Sequence, residues 1–472
     1  MGRTASIAAA AAGLIALVLV GGPAASGWYT DGRLQAELDK LSRMSPAWQL
    51  EVQRLDRGLF SSRAIVSQRL NAAAGTPRFG LQWQVVLHHG PFPGNLNLVR
   101  AVATPKLPGA GSQVADSLFK GEPPIQAIFR IDLAGGRHLG LHSPAIDTPG
   151  PAPFAWKGLE AHAELADGGE HVRFRVEMPA VKAGMGPNRL SLLGLSGEGE
   201  VRRARPFVWL GHSTASLDSF RIRAMDPDTG IRTDFDIAGL DLETQSALED
   251  GLLASRTEWS VASLFSNDTP YHELHASWRI RRVDPEVIQR LNELALDMEP
   301  AQAGADPALR LQGLMAKLPV RRFLAAKPEL VLKDLSAGTG DGKLEGRGRL
   351  HFKPAPGDGP VNPAALPRFA RAELHMDMPE AVFHRIIRLF SRKHAERIIT
   401  RSARLEREDL DWMADTLAKR RVQELREAGV VSASGGRITS EARWDGRRVT
   451  INGHPLSDVP DLSGGMGALS GS

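Results

Sequence analysis

Histidine pairs are the first place to look for chemistry in this chain. His88 and His89 are adjacent in residues 81–89, a stretch that is predicted to form a strand. Neighbouring side chains of a strand point to opposite faces, so these two histidines cannot share a metal ion without a bulge. The pattern favours a structural role for His89, which would pack or donate a hydrogen bond at a strand end beside Gly90 and Pro91.

The other histidine pairs give no stronger signal. His272 and His275 fall on opposite faces of a predicted strand. His138 and His142 share a face, but no acidic residue that could complete a metal site lies between them. The sequence therefore predicts no metal site.

Nucleophile and phosphate motifs are also missing. Residues 57–61, Arg-Gly-Leu-Phe-Ser, contain a serine without the Gly-x-Ser-x-Gly elbow, and no P-loop, HExxH or dinucleotide fingerprint occurs. Gly194–Gly199 is glycine-rich and is predicted to be a flexible turn. The chain has no cysteine, which excludes disulfides, thiolate catalysis and zinc–cysteine sites. We expect a protein that is not an enzyme and that needs no cofactor.

Basic residues are concentrated in one helical region, although the formal net charge is only +4. One hypothesis is an anion contact for lipid headgroups or nucleic acid. The alternative, which the spacing favours, is a solvated helix face paired with Glu406, Glu408 and Asp409. The candidates for anion contact are Arg388, Arg392, Lys393, Arg397 and Arg401.

An uncharged stretch from Thr4 to Thr30 indicates a membrane or export segment, because about 20 apolar residues span a bilayer core. Cleavage of a signal peptide after the small residues Ala24–Ser26 is one interpretation. An uncleaved anchor is favoured, because Trp28 and Tyr29, which suit the membrane interface, come directly before a predicted amphipathic helix. The predicted anchor and interface residues are Ile7, Leu14, Ile15, Leu17, Val18, Leu19, Trp28 and Tyr29. Nucleic acid is not an expected partner of a chain with this segment.

Alternation of apolar and charged residues dominates the middle of the chain. Val172–Met178, Phe220–Ala224 and Leu274–Ile280 each alternate with period two, which is typical of antiparallel sheet with one wet face. Helices are predicted after Asp284-Pro285, after Asp306-Pro307, after Pro379 and over 410–428. The predicted fold is α+β: mainly antiparallel sheet, several amphipathic helices covering one face, and one N-terminal transmembrane helix.

The predicted organisation follows composition. The expected segments are an anchor or signal segment (5–27), an N-terminal α+β region (28–145), a central β-rich region (154–283), a C-terminal α+β region (284–460) and a disordered tail (461–472). Pro/Gly-rich breaks at 143–153 and 353–367 are the linker candidates. Glu273-Leu274-His275 and Glu373-Leu374-His375 each begin a strand that leads into a helix. This similarity indicates either an internal repeat of two strand–helix units or a chance resemblance.

Several short blocks resemble the YdgA-like bacterial proteins, a family of unknown function. They are the segment after the anchor (27–30), the block 57–62, His89-Gly90-Pro91 and the block 450–456. The family-motif residues, for which a structural role is expected, are Gly58, Phe60, Ser61, His89, Gly90, Pro91 and Gly453. The resemblance implies a single-pass protein of the bacterial inner membrane with its body in the periplasm, and it carries over no catalytic residue.

Two functions remain open from sequence. The favoured function is binding of a lipid or another envelope component. A curved antiparallel sheet with one solvated face can form an apolar groove on its other face, and such grooves bind acyl chains. The alternative is a structural or assembly protein that self-associates, as a homo-oligomer, or scaffolds an envelope partner. A hydrolase ranks third.

Overall fold

The computed structural model describes two compact units. The described residues are 48–58, 61–70, 80–90, 97–106, 118–206, 208–225, 232–266, 269–296, 319–357, 359, 361–399 and 407–455. Unit 1 comprises Met1–Ala247 with Pro285–Pro319, and unit 2 comprises Leu248–Asp284 with Val320–Ser472.

Unit 1 is built on an antiparallel meander. Its strands are β1 (Trp48–Asp56), β2 (Ser61–Leu70), β3 (Gly80–His89), β4 (Asn97–Lys106), β5 (Gln126–Asp132), β6 (Arg137–Ser143), β7 (Ile146–Thr148), β8 (Phe154–Trp156), β9 (Leu159–Ala166), β10 (His171–Met185), β11 (Asn188–Arg205), β12 (Val208–Met225) and β13 (Arg232–Glu249). Consecutive strands pair from β1 to β6 and from β9 to β13. β6 pairs with β9, and the β7–β8 hairpin joins through β8 to β10. Helix α1 (Pro285–Leu296) packs against β11 and β12.

The core of unit 1 lies on one face of β2–β6 and β9. Trp83 and Phe129 are its largest buried side chains, with aliphatic residues of the neighbouring strands around them. The indole Nε1 of Trp83 donates to Oε1 of the buried Gln68 at 2.7 Å. This hydrogen bond satisfies the indole N–H inside the core, where leaving a polar group unpaired is costly.

Unit 2 is a second antiparallel sheet with helices. Its strands are β14 (Leu252–Ser266), β15 (Thr269–Val283), β16 (Glu329–Thr339), β17 (Gly342–Phe352), β18 (Ala370–Pro379), β19 (Ser432–Ser434), β20 (Arg437–Trp444), β21 (Val449–Ile451) and β22 (His454–Pro455). Consecutive strands pair from β14 to β18, and β20 pairs with β18, β19 and β21. β22 pairs with β21. The helices are α2 (Val320–Ala326), α3 (Leu366–Phe369), α4 (Glu380–Ile399) and α5 (Arg407–Glu427).

Helices α4 and α5 form an antiparallel pair that covers one end of this sheet. Val382 and Ile387 of α4 and Ala418 and Leu425 of α5 are buried in one cluster with Ile438 of β20. Helix α5 ends before Gly429, which adopts φ +68°, a conformation that glycine takes without strain. The helix predicted over 410–428 is therefore confirmed, as are those that begin after Asp284 and Pro379.

The antiparallel sheet predicted from alternation is confirmed, and one local prediction is wrong. Gly194–Gly199 does not form a turn: it lies inside the 18-residue strand β11. The 143–153 segment contains β7 within unit 1, and 353–367 joins β17 to β18 within unit 2. The two similar segments that begin at Glu273 and Glu373 correspond to β15 followed by α1 and to β18 followed by α4.

Some predictions fall outside the described residues. They are the anchor with its interface residues, the helix after Asp306, the motif residues Phe60 and Pro91, Arg401, and the tail. No helix in the described ranges is both long enough and apolar enough to cross a membrane.

Candidate functional site

An apolar row runs across nine strands of unit 1, perpendicular to the chain direction. Residues that face each other across an antiparallel pair share one side of the sheet, so the strand register defines the row. From β3 to β6 and then from β9 to β13, its members are Val85, Ala103, Ala127, Leu141, Ala161, Val176, Gly197, Ala215 and Leu242.

This row is buried from β3 to β6 and only partly buried from β9 onwards. Ala127 and Leu141 have relative accessibilities of 0% and 5%, whereas Leu242 at the other end is 39% exposed. Ala161, Val176 and Ala215 between them are half-buried. The same sheet face is thus a closed core at β3–β6 and an open apolar surface at β10–β13.

A second row beside the first one has the same character. It consists of Phe129, Leu139, Ala163, Phe174, Gly199, Ser213 and Thr244. The Phe174 ring lies over Gly199, because a Cβ at Gly199 would be 2.9 Å from two ring carbons. We call Phe174, Val176, Gly197, Gly199, Ala215 and Leu242 the unit 1 apolar surface. Its small residues form a floor between larger apolar side chains.

The opposite face of the same strands is charged and paired. Arg173 donates to Glu200 at 3.2 Å, and His171 Nε2 is 2.8 Å from the other oxygen of that carboxylate. The hydrogen bond from Arg173 holds the pKa of Glu200 below its usual range. Arg175 donates to Glu177 at 2.7 Å on the same charged face. This face therefore carries paired charges, whereas the opposite face of the same strands carries apolar side chains.

In unit 2, His275 lies between two carboxylates on three neighbouring strands. Its Nδ1 is 2.8 Å from Asp334 Oδ2, and its Nε2 is 3.2 Å from Glu258 Oε1. Glu258 also accepts from Arg256 at 2.7 Å. The hydrogen bond with Glu258 raises the pKa of His275, and Asp334 adds to this effect. The hydrogen bond with His275 lowers the pKa of Glu258. These hydrogen bonds link β14, β15 and β16.

This cluster predicts a pH-dependent stability. Because the folded-state pKa of His275 is raised, its stabilisation is complete below the unfolded value of about 6.5 and is lost as pH rises through the folded pKa. His275→Gln is expected to lower the free energy of unfolding by about 0.5–1 kcal/mol at pH 6 and by less at pH 8, since the side chain is partly exposed. Native-state hydrogen exchange of the β14–β16 amides at both pH values measures the difference. An equal loss at pH 6 and pH 8 would contradict the charge-dependent role.

The predicted motif residues occupy strand ends and turns. His89 Nε2 is 2.8 Å from Oγ of the buried Ser62. Gly90 N–H donates to Leu98 at 2.9 Å and adopts φ +76°. Gly58 follows β1, where a Cβ would clash with the carbonyl oxygen of Ser61. Gly453 (φ +86°) lies in the turn between β21 and β22.

The histidine candidates do not converge on one site, whereas the described basic candidates lie on one helix. His138 lies 3.2 Å from Asp132 and His142 lies 3.4 Å from Glu160, so they have different carboxylate partners. Within the described ranges, no group of three or more His, Asp or Glu side chains could hold a metal ion. Arg388, Arg392, Lys393 and Arg397 all belong to α4. The pKa of Asp415 on α5 is lowered by Lys419 first and more weakly by His384 and Arg388.

Sequence reasoning found the alternating strands but missed the rows that join them. The available signal was the Gly-x-Gly pattern at Gly197 and Gly199 inside an apolar–charged alternation, because glycine in a strand interior marks a close approach.

Comparison with known proteins identifies a family. A family model described as "Bacterial protein of unknown function (DUF945)" matches residues 1–458, which agrees with the resemblance to the YdgA-like proteins. No curated protein and no solved structure matches the chain.

Proposed function

The chain belongs to the DUF945 family of bacterial proteins of unknown function, and from its open sheet we propose that it binds a lipid or another amphiphile of the cell envelope. The binding element in this proposal is the unit 1 apolar surface. The acyl chain of the ligand lies on the floor of small residues, and Phe174, Val176 and Leu242 contact it from the sides.

The half-exposed apolar row is the observation that carries this proposal. Strands β10–β13 are 15–18 residues long, about three times the usual length, yet their apolar face is left incompletely covered. Contiguous exposed apolar surface on a soluble body usually marks a ligand or partner site. Each buried methylene of an acyl chain contributes about 0.8 kcal/mol, so a long chain along the surface is a favourable ligand.

A position at the membrane supports an amphiphile as ligand. The uncharged stretch from Thr4 to Thr30 is long enough to anchor the chain in a bilayer. We propose a single-pass inner-membrane protein whose body lies in the periplasm, as the resemblance implies. Such a body has envelope lipids within reach.

Self-assembly is the second candidate function. Phe390 on α4 and Trp412 on α5 are large apolar side chains that are mostly exposed. A self-association interface would cover such residues, and aromatic residues are enriched in interfaces. A defined multimer without a bound ligand would favour this function.

The test is native mass spectrometry of the full chain extracted from a bacterial envelope into a mild detergent. The wild type is expected to carry a co-purifying lipid in fixed stoichiometry. Leu242→Glu places a charge on the apolar surface and is expected to reduce lipid occupancy roughly tenfold, equivalent to ~1.4 kcal/mol.

Leu133→Glu is the control, because Leu133 is also an exposed leucine of unit 1 but lies in the β5–β6 turn, away from the apolar surface. Its lipid occupancy should equal that of the wild type. A wild-type protein without lipid, in a defined multimeric mass, would overturn the binding proposal and favour assembly.

A further inference from the structure

Strand β17 of unit 2 repeats the residue pattern of β11. Residues 195–201 read Leu-Ser-Gly-Glu-Gly-Glu-Val, and residues 344–350 read Leu-Glu-Gly-Arg-Gly-Arg-Leu. In each strand, a large side chain of the neighbouring strand lies over one of the two glycines. A Cβ at Gly346 would be 2.8 Å from the sulfur of Met376, as one at Gly199 would be 2.9 Å from Phe174.

Unit 2 also has two apolar rows. The first row is Trp278, Leu332, Gly348, Leu374, Ala442 and Ile451. The second row is Ile280, Leu330, Leu350, Ala372, Trp444 and Val449. Together they form the unit 2 apolar surface. Leu330, Leu374 and Trp444 on it are 36–40% exposed, close to the value for Leu242 in unit 1.

Helices cover the ends of this sheet face and leave its middle open. Met376 and Met378 pack into the cluster with α4 and α5, whereas Leu374, two residues earlier on the same strand, is exposed. On α2, Phe323 contacts Phe352 of β17 edge to face, with ring centroids 5.0 Å apart. An apolar strip between two covered ends is therefore available to a ligand.

A basic cluster lies at the Trp444 end of the strip. Arg447 and Arg448 are in the turn that follows Trp444, and Gly446 of this turn contacts Arg371 and the backbone of Arg368. Arg371 donates to the carbonyl oxygens of Arg368 and Ala370 at 3.2 and 2.7 Å.

The charges of this cluster are not balanced. Its one acidic group is Asp445, whose carboxylate accepts the backbone N–H groups of Arg447 and Arg448 at 2.8 Å each. These two backbone hydrogen bonds lower the pKa of Asp445. The exposed guanidinium groups of Arg368, Arg447 and Arg448 make no ion pair with any described residue. The cluster therefore carries an excess of positive charge next to the apolar strip.

We propose that unit 2 is a second ligand site, specific for an anionic amphiphile. The acyl chain lies on the unit 2 apolar surface, and the phosphate or carboxylate headgroup binds the guanidinium groups of Arg368, Arg447 and Arg448, which suit such oxyanions. This proposal rests on the proposed function, because it assigns the same ligand class to the second unit and adds the headgroup charge.

The test counts ligands by native mass spectrometry of the full chain and identifies them by lipid extraction. The wild type is expected to carry two lipids, at least one of them anionic. Leu374→Glu should remove one lipid and Leu242→Glu the other. The double variant Arg447→Glu/Arg448→Glu should also lose one lipid. The lipid that it loses should be the anionic one.

A matched control variant changes the net charge by the same amount as Arg447→Glu/Arg448→Glu. Lys182→Glu/Arg202→Glu reverses two exposed basic residues on β10 and β11 of unit 1 and should leave both lipids bound. A circular dichroism spectrum equal to that of the wild type checks that each variant is folded.

The outcomes separate the two proposals. A single wild-type lipid that Leu242→Glu removes and Leu374→Glu leaves bound would overturn the unit 2 site and keep the proposed function. Two lipids that the Arg447→Glu/Arg448→Glu variant retains would overturn the headgroup assignment. The absence of any lipid from the wild type would overturn both proposals.

Discussion

Replacing Trp83 with alanine is expected to lower the free energy of unfolding of unit 1 by about 3–5 kcal/mol. Trp83 is 1% exposed and lies in the same core as Val85 and Phe129. The substitution removes the largest side chain of that core and leaves a cavity that the sheet cannot fill. It also leaves Oε1 of Gln68 without its donor, which adds to the loss.

Trp209→Ala is the matched control, because Trp209 belongs to the same unit and is 41% exposed. A change below about 1 kcal/mol is expected there. Because two units complicate a global unfolding curve, the measurement is hydrogen exchange of the β2 and β3 amides in the native state. Equal acceleration by both substitutions would contradict the position of Trp83 in the core.

The strand that carries Trp83 could be predicted from sequence, and its partners could not. Alternation over 81–89 and the proline after Gly90 bounded β3 to within a residue. The same reasoning located the alternation of Val172–Met178 and the helix starts at Pro285 and Glu380. These features depend on residues close in sequence.

The candidate site depends on residues that are far apart in sequence, which is why local patterns missed it. Leu141, Val176 and Leu242 share one row only because β6 pairs with β9 and each later strand keeps its register. A one-residue slip in any pair would turn the row over to the charged face. Burial adds a second non-local fact, since Leu141 and Leu242 have the same residue type but very different exposure.

The glycine-rich segment of β11 shows the same limit of prediction from local sequence. Glycine-rich segments usually indicate turns, so the sequence predicts a turn at Gly194–Gly199. In β11 the absence of a side chain has another use: it lets Phe174 of the neighbouring strand lie over Gly199. Whether the segment is a turn or the interior of a strand depends on the strand that pairs with it, and the glycines alone do not determine this.

Gly199→Ala is therefore expected to destabilise unit 1 by about 1–3 kcal/mol, the usual cost of overpacking. A Cβ at this position would be 2.8 Å from the carbonyl oxygen of His212 and 2.9 Å from the Phe174 ring, and both distances are too short. Either β12 must shift or the ring must leave the floor. Hydrogen exchange of the β10–β12 amides measures the loss.

Gly197→Ala is the control that isolates this contact. Gly197 lies two residues away on the same face of β11, but its Cβ would approach no closer than 3.4 Å, to the carbonyl oxygen of Thr214. Alanine also restricts the unfolded chain, so Gly197→Ala should be neutral or stabilising by up to about 1 kcal/mol. Equal effects of the two substitutions would contradict the close packing of Phe174. If Phe174 is displaced in Gly199→Ala as expected, that variant should also carry less lipid than Gly197→Ala, because the displaced ring no longer contacts the acyl chain from the side.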